Sequence, residues 1–229
     1  MLIRLLSFSL LILLFCSCAK KHIFLLLEPA TPVHSILQDK KAYIFVSSNI
    51  EILSSEKNFQ KLYPDERIFS ELLANHLIYG LSPRLTFVKD SVVTRYLQDL
   101  ETWSQKNFDD NLEYFAKKNE LDIIIKVLDI SVEYNVVENY SGEMVNGTYL
   151  AYRDSTETCD LNCKVSINDF KNGQLVSEFI VRSSESVSYG FSGIELFKTS
   201  AESGMAMSKA TETLTDRIIA YLRKGQMRF

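Results

Sequence analysis

The chain has 229 residues, 46% of them hydrophobic and 24% charged, which suits one globular domain with a full-sized core. Its 25 Lys and Arg stand against 29 Asp and Glu for a net charge of −4, so the balance does not point to nucleic acid, whose binders carry a basic patch or stripe. Gly and Pro are scarce and no tract is repeated or low in complexity, which excludes repeat arrays and a largely disordered chain.

Residues 1–18 read "MLIRLLSFSLLILLFCSC", with Arg4 as the only charge and an apolar run from Leu5 to Phe15 broken by Ser7 and Ser9. That run is too short for a membrane-spanning helix, which needs about 20 apolar residues. It has the charged start and the length of a signal peptide. Phe15, Cys16, Ser17 and Cys18 resemble a bacterial lipobox, with Phe15 in place of the more usual Leu. The alternatives are an uncleaved anchor and an ordinary secretory leader. The resemblance implies that residues 1–17 are removed, Cys16 with them, and that Cys18 is acylated. Acylation with more than one chain anchors a protein stably to a membrane. Ala19 stands where enteric bacteria place Asp to retain a lipoprotein at the inner membrane, so the implied address is the periplasmic face of the outer membrane.

Residues 18–41 read as a lipidated cysteine and short tether, in which Ile23 to Leu27 can form an edge strand before Pro29 and Pro32 break it. The domain, 42–229, opens on the β-rich "AYIFVSS" (42–48). A helix follows at about 66–79, capped by Asp65, with Phe69, Leu72, Leu73 and Leu77 on one face and Gly80 as a left-handed stop. "LTFV" (85–88) is the next strand. Asp90 or Ser91 caps a second helix with Val93, Tyr96, Leu97 and Leu100, and Asp109 or Asp110 a third, around 110–118, with Leu112, Phe115 and Ala116.

"LDIIIKVLDISVEYNVV" (121–137) is a strand buried on both faces at its start. It alternates from Ile130, with Val132, Tyr134 and Val136 on one side. Residues 138–156 hold "SG" and "NG" turn signals and the β-rich "TYLAY". "CDLNCKVSINDFKNGQLVSEFIV" (159–181) is a hairpin turning at Asn172-Gly173. A two-residue loop puts Glu178 and Arg182 on the face of Ile167 and Cys163. A three-residue loop, Lys171 to Gly173 with Gly173 left-handed, sets Val165 against Phe179 and Cys163 against Val181. Register follows the buried face, which favours the latter. Residues 192–204 read as a loop and about 205–224 as a long helix with Met207, Ala210, Leu214, Ile218 and Tyr221 buried, ended by Gly225.

Few residues nominate themselves for chemistry. Cys159 and Cys163 invite a metal or a disulfide. Four residues along a strand is about 13 Å, however, and a disulfide needs Cα atoms within about 7 Å, so two buried thiols are expected. His76 is expected on or near the buried face of the first helix. No H-x-x-x-H, Gly-rich phosphate loop, G-x-S-x-G or dinucleotide fingerprint is present, so no catalytic residue, metal or cofactor is expected. "SYGFSGIELF" (188–197) reads as an aromatic loop. Tyr189, Phe191, Ile194, Leu196 and Phe197 there are either contact residues or a cover tucked under the last helix.

The order of strand, helix, strand, helices, long strand, hairpin and long helix resembles an αβ domain found in several bacterial lipoprotein groups. These are the curli-secretion channel lipoproteins, penicillin-binding-protein activators, ABC-transport auxiliary lipoproteins and flagellum-associated outer-membrane lipoproteins. "NELDIIIKVLDI" matches at Asp122 and departs where Glu120-Leu121 replaces Gly-Ala; "VSINDFKNGQLV" matches at Asp169 and Gly173. The resemblance covers about 41–224. It implies an α+β fold: a single mixed, largely antiparallel sheet with helices packed on it and a long C-terminal helix. The expected function is a non-enzymatic, lipid-anchored accessory subunit of an envelope machine with a protein partner at the outer membrane. The alternative is a lipid or small-molecule carrier serving an ABC transporter, which a large apolar cavity would favour.

Overall fold

The computed structural model describes residues 37–54, 56–146, 148–192 and 204–224. Among these, six strands form one sheet: β1 (Lys40–Val46), β2 (Ile50–Ile52), β3 (Leu85–Phe87), β4 (Ile123–Val145), β5 (Thr148–Asp169) and β6 (Gln174–Ser192). Five helices join them: α1 (Glu56–Leu62), α2 (Glu66–Leu81), α3 (Ser91–Trp103), α4 (Gln105–Lys118) and α5 (Met205–Lys224). The strand order is β3-β1-β4-β5-β6, with β2 pairing β4 beyond the end of β1. β1 runs parallel to β3 and β4, and β2 is parallel to β4. The β4/β5 and β5/β6 pairs are antiparallel. The α+β class and the mixed sheet agree with the sequence reading.

The sheet has two buried faces at its parallel end. Ala42, Ile44 and Val46 of β1 and Ile123, Ile125 and Val127 of β4 point into one core with α1, α2 and α5, through Phe59, Phe69, Leu73, Leu214 and Ile218. Tyr43, Phe45 and Ile124 point the other way, into a second core with Leu97 of α3 and Phe108, Leu112 and Phe115 of α4. This explains the apolar run at the start of β4. A bulge between Leu128 and Ser131, with Asp129 at φ +48°, then inserts one extra residue. Parity reverses there, and Ile130, Val132 and Tyr134 take over the α5 side.

The hairpin register is the predicted one: Val165 faces Phe179 and Cys163 faces Val181. The loop differs. Asp169 pairs with Gln174, so four residues turn, and a bulge beside Ile167 and Asn168 restores the register. Gly173 is left-handed at φ +64°, as its place in the turn requires.

Several boundaries are corrected. β1 begins two residues ahead of Ala42. The third helix starts at Gln105, because Ser104 caps it through the Asn107 N–H and Phe108 adds a buried turn; Asp109 and Asp110 lie inside it, exposed. Gly80 does not stop α2, which runs on to Leu81 with Ser82 as C-cap. Its lack of a side chain serves a helix crossing instead, since a Cβ there would stand 2.2 Å from Cδ1 of Ile219 on α5. His76 is exposed and so is Tyr96, while Gln98 is buried and donates to the Val46 carbonyl at 3.0 Å. "SG" at 141–142 lies within β4, and the chain reverses at Asn146, φ +52°. Residues 188–192 are strand, not loop. β2 and α1 had no counterpart in the sequence reading. The edge strand expected at 23–27 and the stop at Gly225 lie outside the described residues.

Candidate functional site

The last three strands are the longest of the described sheet, at 23, 22 and 19 residues. β4 and β5 continue past the helices as a ribbon, joined by β6 up to Ser192 opposite Tyr152. Alternation fails here for a physical reason. From Val137 to Met144 every residue of β4 is exposed, on both faces, and no helix among the described residues packs on either. Val137, Tyr140 and Met144 are 55%, 70% and 66% exposed. Both edges of the ribbon are open within the described sheet: β6 is its last strand, and β4 has no partner opposite β5 beyond β2. Open edges offer unpaired N–H and C=O groups to an added strand.

The root of this arm is fastened by charge. Glu157 of β5 is 2% exposed and accepts the Gly204 N–H at 3.0 Å on each carboxylate oxygen and the Ala206 N–H at 3.2 Å. These are orphan donors of the first turn of α5, where a negative charge also meets the positive end of the helix dipole. Gly204 itself sits at φ +97°, and a Cβ there would lie 2.8 Å from Cδ2 of Leu62. Next along β5, the Cys159 thiol lies 3.4 Å from the Met207 sulfur. Cys159 and Cys163 are free and fully buried, as the strand spacing requires, and burial pushes both thiols up to about 12. Such thiols are inert toward redox and metal chemistry at neutral pH.

A second buried polar contact lies near the end of β1. Ser47, just past β1, donates to Glu101 at 2.8 Å, and burial raises the Glu101 carboxyl above its usual range despite that bond. The same Ser47 hydroxyl accepts the Asn49 N–H at 3.0 Å, which shapes the turn after β1. Among the described residues no group of three His, Cys, Asp or Glu is placed to hold a metal ion. A cleft of about 200 Å³ lies between α4 and the β5–β6 turn, lined by Leu112, Ile124, Lys126, Asn168 and Phe170 among others. Ligand pockets usually run from about 300 Å³ upward.

Of the site residues read from the sequence, Tyr189 and Phe191 occupy the outer end of β6, at register positions opposite Ser155 and Arg153 of the arm. Ile194, Leu196, Phe197 and Cys18 lie outside the described residues. The sequence reading missed the arm as a unit, and Glu157 with it. The available signal was "ENYSGEMVNGTYLAYRD", β-rich residues symmetric about Asn146-Gly147.

No family model matches the chain, and no curated protein sequence matches it. Among solved structures it is similar to a neuraminyllactose-binding hemagglutinin homolog from Helicobacter pylori, at 16% identity over 87% of this chain and 91% of that one, with a TM-score of 0.43. It is similar to the PelC dodecamer from Paraburkholderia phytofirmans at 12% identity over 90% and 100% of the two chains, TM-score 0.37. A minor lipoprotein from Acinetobacter baumannii matches at 10% identity over 80% and 89%, TM-score 0.28. These are likenesses of outline, and no activity passes from them to this chain.

Proposed function

We propose that this chain is a non-catalytic accessory subunit of an envelope assembly, secretion or transport machine. Acylated Cys18 holds it at the periplasmic face of the outer membrane, and it meets a protein partner through the arm of β4, β5 and β6. The observation that carries the reading is the exposure of Val137 to Met144 on both faces of the ribbon. A stretch exposed on both faces adds little to the core, yet it keeps in place large apolar side chains and two strand edges that are open within the described sheet. The carrier alternative gains no support from a cleft of about 200 Å³.

The test shortens the arm. Val137 and Thr156 are cross-strand partners, so an Asn-Gly turn replacing 138–155 closes the hairpin lower down. Circular dichroism should show the remaining fold intact, and proteins cross-linked to the full chain in envelopes should be lost. A shortened chain that keeps those proteins and complements a deletion strain would sink the proposal. The anchor is tested separately: Cys18→Ala should leave the membrane fraction, and its retention there would refute acylation at Cys18.

A further inference from the structure

The domain is electrically lopsided along its long axis. From Asp129 to Asp160, the stretch that forms the arm and its root, the chain carries seven acids and one base, Arg153. That is more than the whole surplus of the protein, whose net charge is −4. The opposite end collects bases. β1, β3 and β4 all start there, since Lys40 pairs with Leu85 and Ala42 with Ile123. The β5–β6 turn is there too, with the Phe170 N–H on the Asp122 carbonyl. Lys40, Lys41, Arg84, Lys117, Lys118, Lys171 and Arg223 stand at this base, against Asp39, Asp109, Glu113, Glu120, Asp122 and Asp169, with Lys117 paired to Glu113 and Lys171 to Asp122 at 3.6 Å. Arg84 and Arg223 donate to the carbonyls of Arg223 and Gly80 at the ends of α5 and α2, bonds that leave the charge of each guanidinium uncancelled.

The chain also enters the domain at this base. The Asp39 N–H meets the Arg84 carbonyl at 3.0 Å, and only eighteen residues separate Cys18 from Leu37. Their full reach is at most about 65 Å. We propose that the base docks on anionic phospholipid headgroups of the membrane that holds Cys18, so that the arm stands away from that surface. The proposal rests on the anchor at Cys18. Positive charge meets the anionic leaflet, and the acidic arm is repelled from it. Each lysine held near such a leaflet strengthens the attraction roughly fivefold. Along β4 the distance from base to tip is at most about 73 Å.

The experiment uses the full chain purified from membranes and placed in vesicles carrying a nickel-chelating lipid. The mass of the N-terminal peptide is read first, so an unacylated Cys18 counts against the anchor and is recorded apart from docking. Spin labels are set at Ser82→Cys at the base and Glu143→Cys on the arm, both exposed; the native thiols at Cys159 and Cys163 are buried. In vesicles containing phosphatidylglycerol, nickel should broaden the base label at least tenfold more than the arm label. The ratio should fall toward one in phosphatidylcholine vesicles and after Lys117→Glu, Lys118→Glu and Lys171→Glu are combined. Equal broadening at both sites in phosphatidylglycerol overturns the proposal. A ratio that survives charge reversal assigns the posture to the tether alone and overturns the lipid contact.

Discussion

The carboxylate of Glu157 and the backbone N–H of Gly204, 47 residues apart, meet at 3.0 Å where the arm leaves the body of the domain. One side chain on β5 thereby caps α5 and ties the arm's root to the longest helix. Glu157→Ala leaves buried donors without a partner, a loss of roughly 2–4 kcal/mol. The expected fall in Tm is about 5–15 °C for a domain of this size, read by thermal circular dichroism. Glu157→Gln keeps an acceptor and should fall between the two. A wild-type Tm in Glu157→Ala would mean the cap is not formed.

Native and denatured chains should differ in thiol reactivity. Cys159 and Cys163 are fully buried, and with both thiols pushed to about 12 neither is ionised at neutral pH. Native mature protein should resist alkylation, and denatured, unreduced protein should take up about two equivalents. A protected pair after denaturation would contradict two free thiols on one strand.

Acid should weaken the start of β4 through Asp122. The Lys41 N–H, bonded at 3.0 Å, holds this carboxyl below its usual range; burial opposes that, and Lys40 and Lys171 add to it. A depressed folded value means the native state binds fewer protons than the unfolded chain. The stability it contributes is therefore present above the unfolded value near 3.9 and is lost as pH falls through the folded one. Urea titrations should show Asp122→Asn less stable than wild type at pH 6, with the gap closing below about pH 4. A gap that does not change with pH would remove the carboxylate from this role.

Where α2 crosses α5, Gly80→Ala should destabilise by about 1–2 kcal/mol, because the new methyl overlaps Ile219 Cδ1 at 2.2 Å. With Ile219→Ala the clash disappears, and the alanine should then gain the roughly 1 kcal/mol by which it exceeds glycine in a helix. A double-mutant cycle with no coupling would deny the close approach.

These residues also show what was legible in the sequence. The Val165–Phe179 register was readable because burying one face penalises a one-residue slip, even though the loop length was not. Asp65 and Asp90 announced their helices because each accepts a nearby backbone N–H; Ser104 was passed over for two aspartates that lie inside α4. Gly80 was misread because a turn and a close helix crossing both select glycine, and only the position of Ile219 decides between them. The arm was legible only as turn signals and β-rich fragments, since a ribbon exposed on both faces obeys no hydrophobic period. Glu157 gave no sign at all, because its partners come from the far end of the chain.

The bulge at Asp129 makes the arm a cantilever. Below it β4 is clamped between β1 and β5; above it β2 and the Glu157 tie act as short stays. Val145 lies sixteen steps along the strand from Asp129, a beam of about 53 Å. Rocking by about 10° at the left-handed residue would sweep the tip roughly 9 Å while the clamped half stays still. A load on the tip is thus delivered, with leverage, to the N-terminus of α5.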